Sequence, residues 1–137
     1  MSTTNAIRVA LENHLNTSTP TLPAIAWDNV KFTRTEGTPY IRADFRPATR
    51  RPVAAGPNPE QRTNGLFYLT ICTPENKGAN AGMVLADQLL ARFNGSDAIV
   101  TDSVIVRIEY SEVKQPLHDP PFYAIPVEIG WYSHTTP

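Results

Sequence analysis

Few side chains in this sequence are suited to chemistry, and their spacing decides what they could do. His118-Asp119 is the most suggestive pair, because an imidazole beside a carboxylate is what a general base needs. The pair sits in Lys114-Gln-Pro-Leu-His-Asp-Pro-Pro121, between two predicted strands. Prolines frame a turn there, and Asp commonly bonds the local backbone of such turns. His14 and His134 lie far from it along the chain, and Cys72 is the sole cysteine, so no metal-site spacing occurs. His14 falls near the apolar stripe of a predicted helix and reads as a packing or surface residue. Gly78-Ala-Asn-Ala-Gly82 could offer free backbone N–H groups to an anion. It lacks the Gly-Lys-Ser ending of a phosphate loop and reads as a glycine-assisted helix start. There is no Gly-x-Ser-x-Gly elbow, and Ser96 and Ser103 have no obvious base partner. Glu109 and Glu112, at odd separation on a predicted strand, are expected to face opposite ways. The residues point to no catalytic site and no cofactor; the chain reads as a structural or interaction protein.

The other conspicuous segment is Arg46-Pro-Ala-Thr-Arg-Arg-Pro-Val-Ala-Ala-Gly-Pro-Asn-Pro-Glu-Gln-Arg62, seventeen residues between two predicted strands. Loops this long inside compact domains are usually functional or disordered. Pro47, Pro52, Pro57 and Pro59 remove backbone donors, which argues against a helix or a central strand. Arg46, Arg50, Arg51 and Arg62 against Glu60 give it a charge of plus three. As an extended arm running out and back, it would carry its tip about 25 Å from the sheet. Protein contact, through Arg46, Arg50, Arg51, Pro52, Pro57, Pro59 and Arg62, is the favoured reading, since arginine is enriched at interfaces. Phosphate contact and a solvated, disordered loop are the alternatives.

The elements that would position these residues follow from periodicity. Residues 4–15 read as a helix through Ile7, Ala10, Leu11 and Leu15, with Ser2 to Thr4 as caps and Thr17 to Pro23 as the stop. Ile25–Trp27 and Val30–Phe32 form a short extended region bent at Asp28-Asn29. Tyr40 to Arg46 alternates, as does Leu66 to Thr73, whose two half-apolar faces suggest a strand covered on both sides. Residues 78–94 carry Gly82, Leu85, Ala86, Leu89, Leu90 and Phe93 at helical spacing before the Asn94-Gly95 stop. Ser103 to Val113 alternates again, with Val104, Val106, Ile108 and Tyr110 expected inward. Phe122 to Tyr132 is the last strand, and Pro126 suggests an edge or a bulge. The predicted class is α+β: an antiparallel sheet of about four main strands, two α-helices packed on one face, and a long Pro/Arg-rich loop between two strands.

A length of 137 residues predicts one domain, 1–137, able to bury a core without metal or disulfides. The apolar runs are too short to span a bilayer and no signal segment opens the chain, so a soluble, cytoplasmic protein in a reducing compartment is expected. Net charge is minus one, which argues against a broad duplex-binding face. The charge is uneven: residues 1–74 hold eight basic and five acidic side chains, and residues 75–137 hold four and eight. Such a division suits head-to-tail self-association, although chance clustering would also produce it.

The chain also resembles the tail terminator (tail completion) proteins of long-tailed phages with non-contractile tails. The features that carry the resemblance are an N-terminal helix, Ile25-Ala-Trp-Asp-Asn29 followed by Phe32, and Gly37-Thr-Pro-Tyr-Ile-Arg42. Next come Arg62-Thr-Asn-Gly-Leu-Phe67 opening a strand, Thr73-Pro74 before a Gly/Ala-rich helix start, Ala86-Asp87 to Phe93, and a closing strand with Gly130-Trp131. The resemblance implies an α+β subunit of a homo-oligomeric, six-membered ring at the head-proximal end of the virion tail, assembled in the host cytoplasm. Its implied partners are the tail tube protein below and a head-side neck or connector protein above. DNA would pass through the lumen without sequence-specific binding, and no membrane or cofactor is implied. A neck or head-completion component and a nucleic-acid-binding module are the competing readings.

Overall fold

Apolar–polar alternation builds three long neighbouring strands, and these carry the rest of the molecule. The computed structural model describes residues 3–17 and 22–135. In chain order the elements are α1 (Thr3–Thr17), β1 (Ala24–Ala26), β2 (Tyr40–Pro52), β3 (Gln61–Pro74), α2 (Asn80–Arg92), β4 (Ala98–Val100), β5 (Ile105–Val113), β6 (Leu117–Asp119) and β7 (Phe122–Thr135). They form one sheet in the order β1-β2-β3-β7-β5-β4, with β6 also paired to β7. β1 runs parallel to β2, and the other pairs are antiparallel. The caps expected at Ser2–Thr4 and the stop at Thr17–Pro23 fall partly outside the described residues.

The expected four-stranded α+β sheet is therefore corrected. The protein is mostly β: among the described residues 46% lie in seven strands of a curled half-barrel sheet, accompanied by two helices. Three strands, β1, β4 and β6, have three residues each, too few for alternation to register. The arm is the larger correction. β2 continues through Pro52 and β3 starts at Gln61, so Arg46–Pro52 is strand and only residues 53–60 form the connection. The prolines are tolerated because this part of β2 is a sheet edge. Phe45 N donates outward to Asp28 Oδ2 at 2.6 Å, and alternation turns the nitrogen of Pro47 the same way. Val53 N bonds inward to Glu60 O at 2.9 Å, which leaves the nitrogen of Pro52 outward as well. Neither proline costs the ladder a bond.

Pro126 is corrected too, since β7 is internal and not an edge. Its carbonyl accepts from Lys114 N at 2.8 Å, so its donorless nitrogen faces the same side. There β5 ends opposite Val127 and β6 pairs only as far as Ala124. The proline fills a gap between two strands.

Two bulges reverse the expected facing of side chains. The register shifts between Pro47 and Thr49 in β2, and between Ile108 and Tyr110 in β5. Each extra residue flips the alternation beyond it. Tyr110, expected inward, pairs with Gly130 on the outer face. Beyond Ala48, Thr49 and Arg51 share the outer face with Arg46, while Arg50 turns to the opposite one.

Both helices join the sheet's inner face in one core. Ile7, Leu11 and Leu15 of α1 and Ala86 and Leu89 of α2, with Phe93 following it, pack with Ile41, Phe67, Leu69, Ile71, Val106, Ile125, Val127, Ile129 and Trp131. The helix ends are tied reciprocally. Arg92 Nη1 donates to Leu15 O at 2.7 Å, and His14 Nε2 donates to Arg92 O at 2.6 Å. A cation at the carbonyl end of α1 is favourably placed. His14 also packs edge-on against Phe93, so it is a packing residue. A smaller second core, Tyr40, Cys72, Phe122 and Ala124, lies on the outer face at the opposite end of the sheet from the hairpin.

Gly65 is the point of the long ladder where neighbouring backbone leaves no room for a side chain. A Cβ there would collide with Arg46 O, and would lie 2.8 Å from Pro47 Cα and 2.9 Å from Trp131 Cζ2. Gly65→Ala is expected to destabilise the fold by about 2 kcal/mol or more through overpacking against backbone, read as a lowered midpoint in urea unfolding.

Candidate interaction surface

The outer face of β2, β3, β7 and β5 gathers the charged residues that alternation turns away from the helices. Two arginines lie over tyrosine rings. The Arg46 guanidinium is 4.7 Å from the Tyr68 ring centre, and that of Arg62 is 4.1 Å from Tyr132. Cross-strand register produces both stacks: Arg46 opposes Leu66, two residues from Tyr68, and Arg62 opposes His134, two residues from Tyr132. Such contacts hold a guanidinium in a fixed plane, at about 0.5–1 kcal/mol each where exposed.

Ion pairs complete the surface. Arg62 Nη2 reaches Glu109 Oε2 at 3.2 Å, which the β5 bulge makes possible. Lys114 Nζ lies 2.6 Å from Glu112 and 3.7 Å from Glu128. Glu109 and Glu112 therefore both serve the outer face, contrary to the expectation that they face apart. The Tyr110 hydroxyl donates to Glu128 Oε2 at 2.8 Å, while its ring covers Gly130, where any Cβ would strike it. Burial, then the Glu128 carboxylate, push the Tyr110 phenol up to about 12.

At the root of β2, Asp44 lies 3.8 Å from Arg42 and 3.9 Å from Arg46. Its pKa is nevertheless raised, first by burial and then by a hydrogen bond with Asp28, which outweigh the two arginines.

The predicted site residues thus divide. Arg46 and Arg62 are engaged on the chain's own tyrosines and carboxylates. Arg50 and Arg51 are exposed and form no ion pair among the described residues. Pro52 ends β2, and Pro57 and Pro59 lie in the connection, beside Gly56 at φ 112 and Asn58 at φ 51. The residues missed were Tyr68, Tyr110 and Tyr132. Their signal was an aromatic on the polar side of a strand beside an arginine strand, legible only once register is known.

The chemistry-bearing residues do not converge. Asp119 pairs with Arg34 at 3.3 Å and not with its neighbour His118, whose ring packs on Tyr123. His134 lies 3.6 Å from Glu60 at the base of the hairpin. Among the described residues no group of His, Cys, Asp and Glu could hold a metal ion, and no helix is long and apolar enough to cross a membrane. What the surface offers is fixed planes of charge on a rigid sheet, suited to recognition of another macromolecule.

These features define a curled half-barrel sheet with two helices on its inner face and an exposed basic hairpin at one end. Residues 6–131 match the family model described as phage tail terminator protein, and the chain belongs to that family. One solved structure is 26% identical, covering 98% of this chain and 97% of its own, with a TM-score of 0.75. No curated protein matches the chain. The family is a structural one, associated with the phage tail.

Because the folded pKa of Asp44 is raised, its contribution to stability is fully present below the ordinary value of 3.8 and is lost as pH rises through the folded value. At pH 7 the buried charge is a net cost. Asp44→Asn is therefore expected to melt at or above the wild-type temperature at pH 7, with the advantage vanishing towards pH 3. Thermal unfolding followed by circular dichroism across that range checks the sign.

Proposed function

We propose that this protein closes the phage tail tube as a homo-oligomeric ring, with six subunits as the expected number. The ring stops addition of tube subunits and presents a surface to which the head-side neck protein joins. The observation that carries the reading is the tail terminator match over residues 6–131, which takes in both helices and most of the sheet. The distribution of charge supports it. One side of the sheet bears Arg50 and Arg51 on β2, and the other bears Asp97 and Asp102 around β4, all outside any ion pair among the described residues. Two unlike, complementary surfaces on one subunit are what head-to-tail closure needs.

Termination then follows from geometry. One rim of the ring matches the tube and the other does not repeat that rim, so no further tube subunit finds a seat. The genome passes through the lumen without base-specific contact, and the protein acts at the head-proximal end of the tail after assembly in the host cytoplasm. Phage lacking this protein are expected to make overlong tails that fail to join heads, seen by negative-stain electron microscopy. Tails of normal length left unattached would instead assign the protein to the neck.

A further inference from the structure

The hairpin and the far edge of the sheet share one row. Arg50 opposes Thr63 and Thr63 opposes Ser133; the β5–β7 register, carried one step beyond Arg107–Tyr132, brings Val106 next, and Val106 opposes Ile99. Arg50 and Ile99 thus mark opposite ends of a row across β2, β3, β7, β5 and β4, about 19 Å along the sheet at the usual spacing between strands. Copies set side by side would bring the hairpin of one to the β4 edge of the next at the same height. Contacts of that kind close a ring without a rise per subunit.

The two edges are complementary in chemistry. Beyond β4, between α1 and residues 99–103, runs an open groove of about 610 Å³ lined by Ala6, Val9, Ile99 and Asp102 among others. On the outer face of the same edge Val100 is 70% exposed and Ile105, opposite it, is 42% exposed. Asp97 and Asp102 bracket β4, are exposed, and pair with no cation among the described residues. The hairpin presents the converse: the small apolar tip Val53-Ala-Ala-Gly-Pro57, with Arg50 and Arg51 behind it, also without ion partners. Strand-to-strand pairing is disfavoured, since Pro47 and Pro52 turn donorless nitrogens to the free edge of β2. Side chains are left to make the contact.

We infer that the occupant of the α1–β4 groove is the hairpin of a second copy, its tip on Val9 and Ile99 and its Arg50 and Arg51 facing Asp97 and Asp102. This rests on the ring proposed above and names the surfaces that form it.

Charge reversal tests it. R50E/R51E and D97K/D102K should each keep the wild-type melting curve, because all four residues are exposed. Each should raise the concentration at which rings appear by about tenfold or more, read by light scattering and negative stain. Mixed together, the two variants should form rings again, alternating around an even-membered circle, and so should one chain carrying all four changes. Should reversal itself perturb folding, R50Q/R51Q and D97N/D102N replace them, with the same loss expected. If the wild type forms rings and the reversed variants form them equally well, this contact is wrong while the ring stands. If each variant fails and the mixture also fails, the pairing of these two surfaces is overturned. A wild type that stays monomeric at every concentration, alone and with tail tube, overturns both the contact and the ring.

Discussion

The ladder between β3 and β7 is the constraint on which the rest of the molecule depends. Its pairs run without a break from Gln61–Thr135 to Pro74–Phe122. One end of that ladder lies beneath the helices, where Phe67, Leu69, Ile71, Ile125, Val127 and Ile129 are fully buried. The other end is the root of the hairpin. A segment that would have no structure by itself is thereby held in register by a core that begins at Phe67, six residues beyond Gln61. Cooperative pairing, with little help from local propensity, orders it.

Two bulges then decide what the ordered sheet displays. Each inserts one residue and reverses the faces beyond it. In β5 this brings Tyr110 onto Gly130 and Glu109 to Arg62; in β2 it sets Arg51 on the outer face and Arg50 on the inner one. The outer face becomes a lattice of guanidinium, phenol and carboxylate groups with little freedom to rearrange. Groups fixed in advance lose less entropy when a partner arrives.

Much of this was legible in the residues. Both helices and the cores of β2, β3, β5 and β7 follow from apolar spacing, because those faces meet the core directly. The arm strands did not, since Pro, Arg and Thr carry no alternation that a buried face would impose. What makes Thr49–Pro52 a strand is Gln61–Asn64, and what steadies those is Tyr132–Thr135, about seventy residues further on. The facing of Tyr110 was misread for a similar reason: a bulge at Glu109 leaves no mark in a pattern read one strand at a time. Pro126 looked like an edge marker because a sequence does not reveal a gap between two partner strands. The candidate surface was half legible. Arg46 and Arg62 stand out by residue type, but the tyrosines beneath them lie on other strands.

The paired prolines of the free β2 border carry a consequence for a lone copy of the chain. A rigid ribbon projecting into water is an inviting template for stray polypeptide. With Pro47 and Pro52 interrupting its row of donors, a foreign segment laid alongside would leave its own carbonyls unanswered at two points. The ribbon can thus stand exposed without seeding fibrils from its own kin.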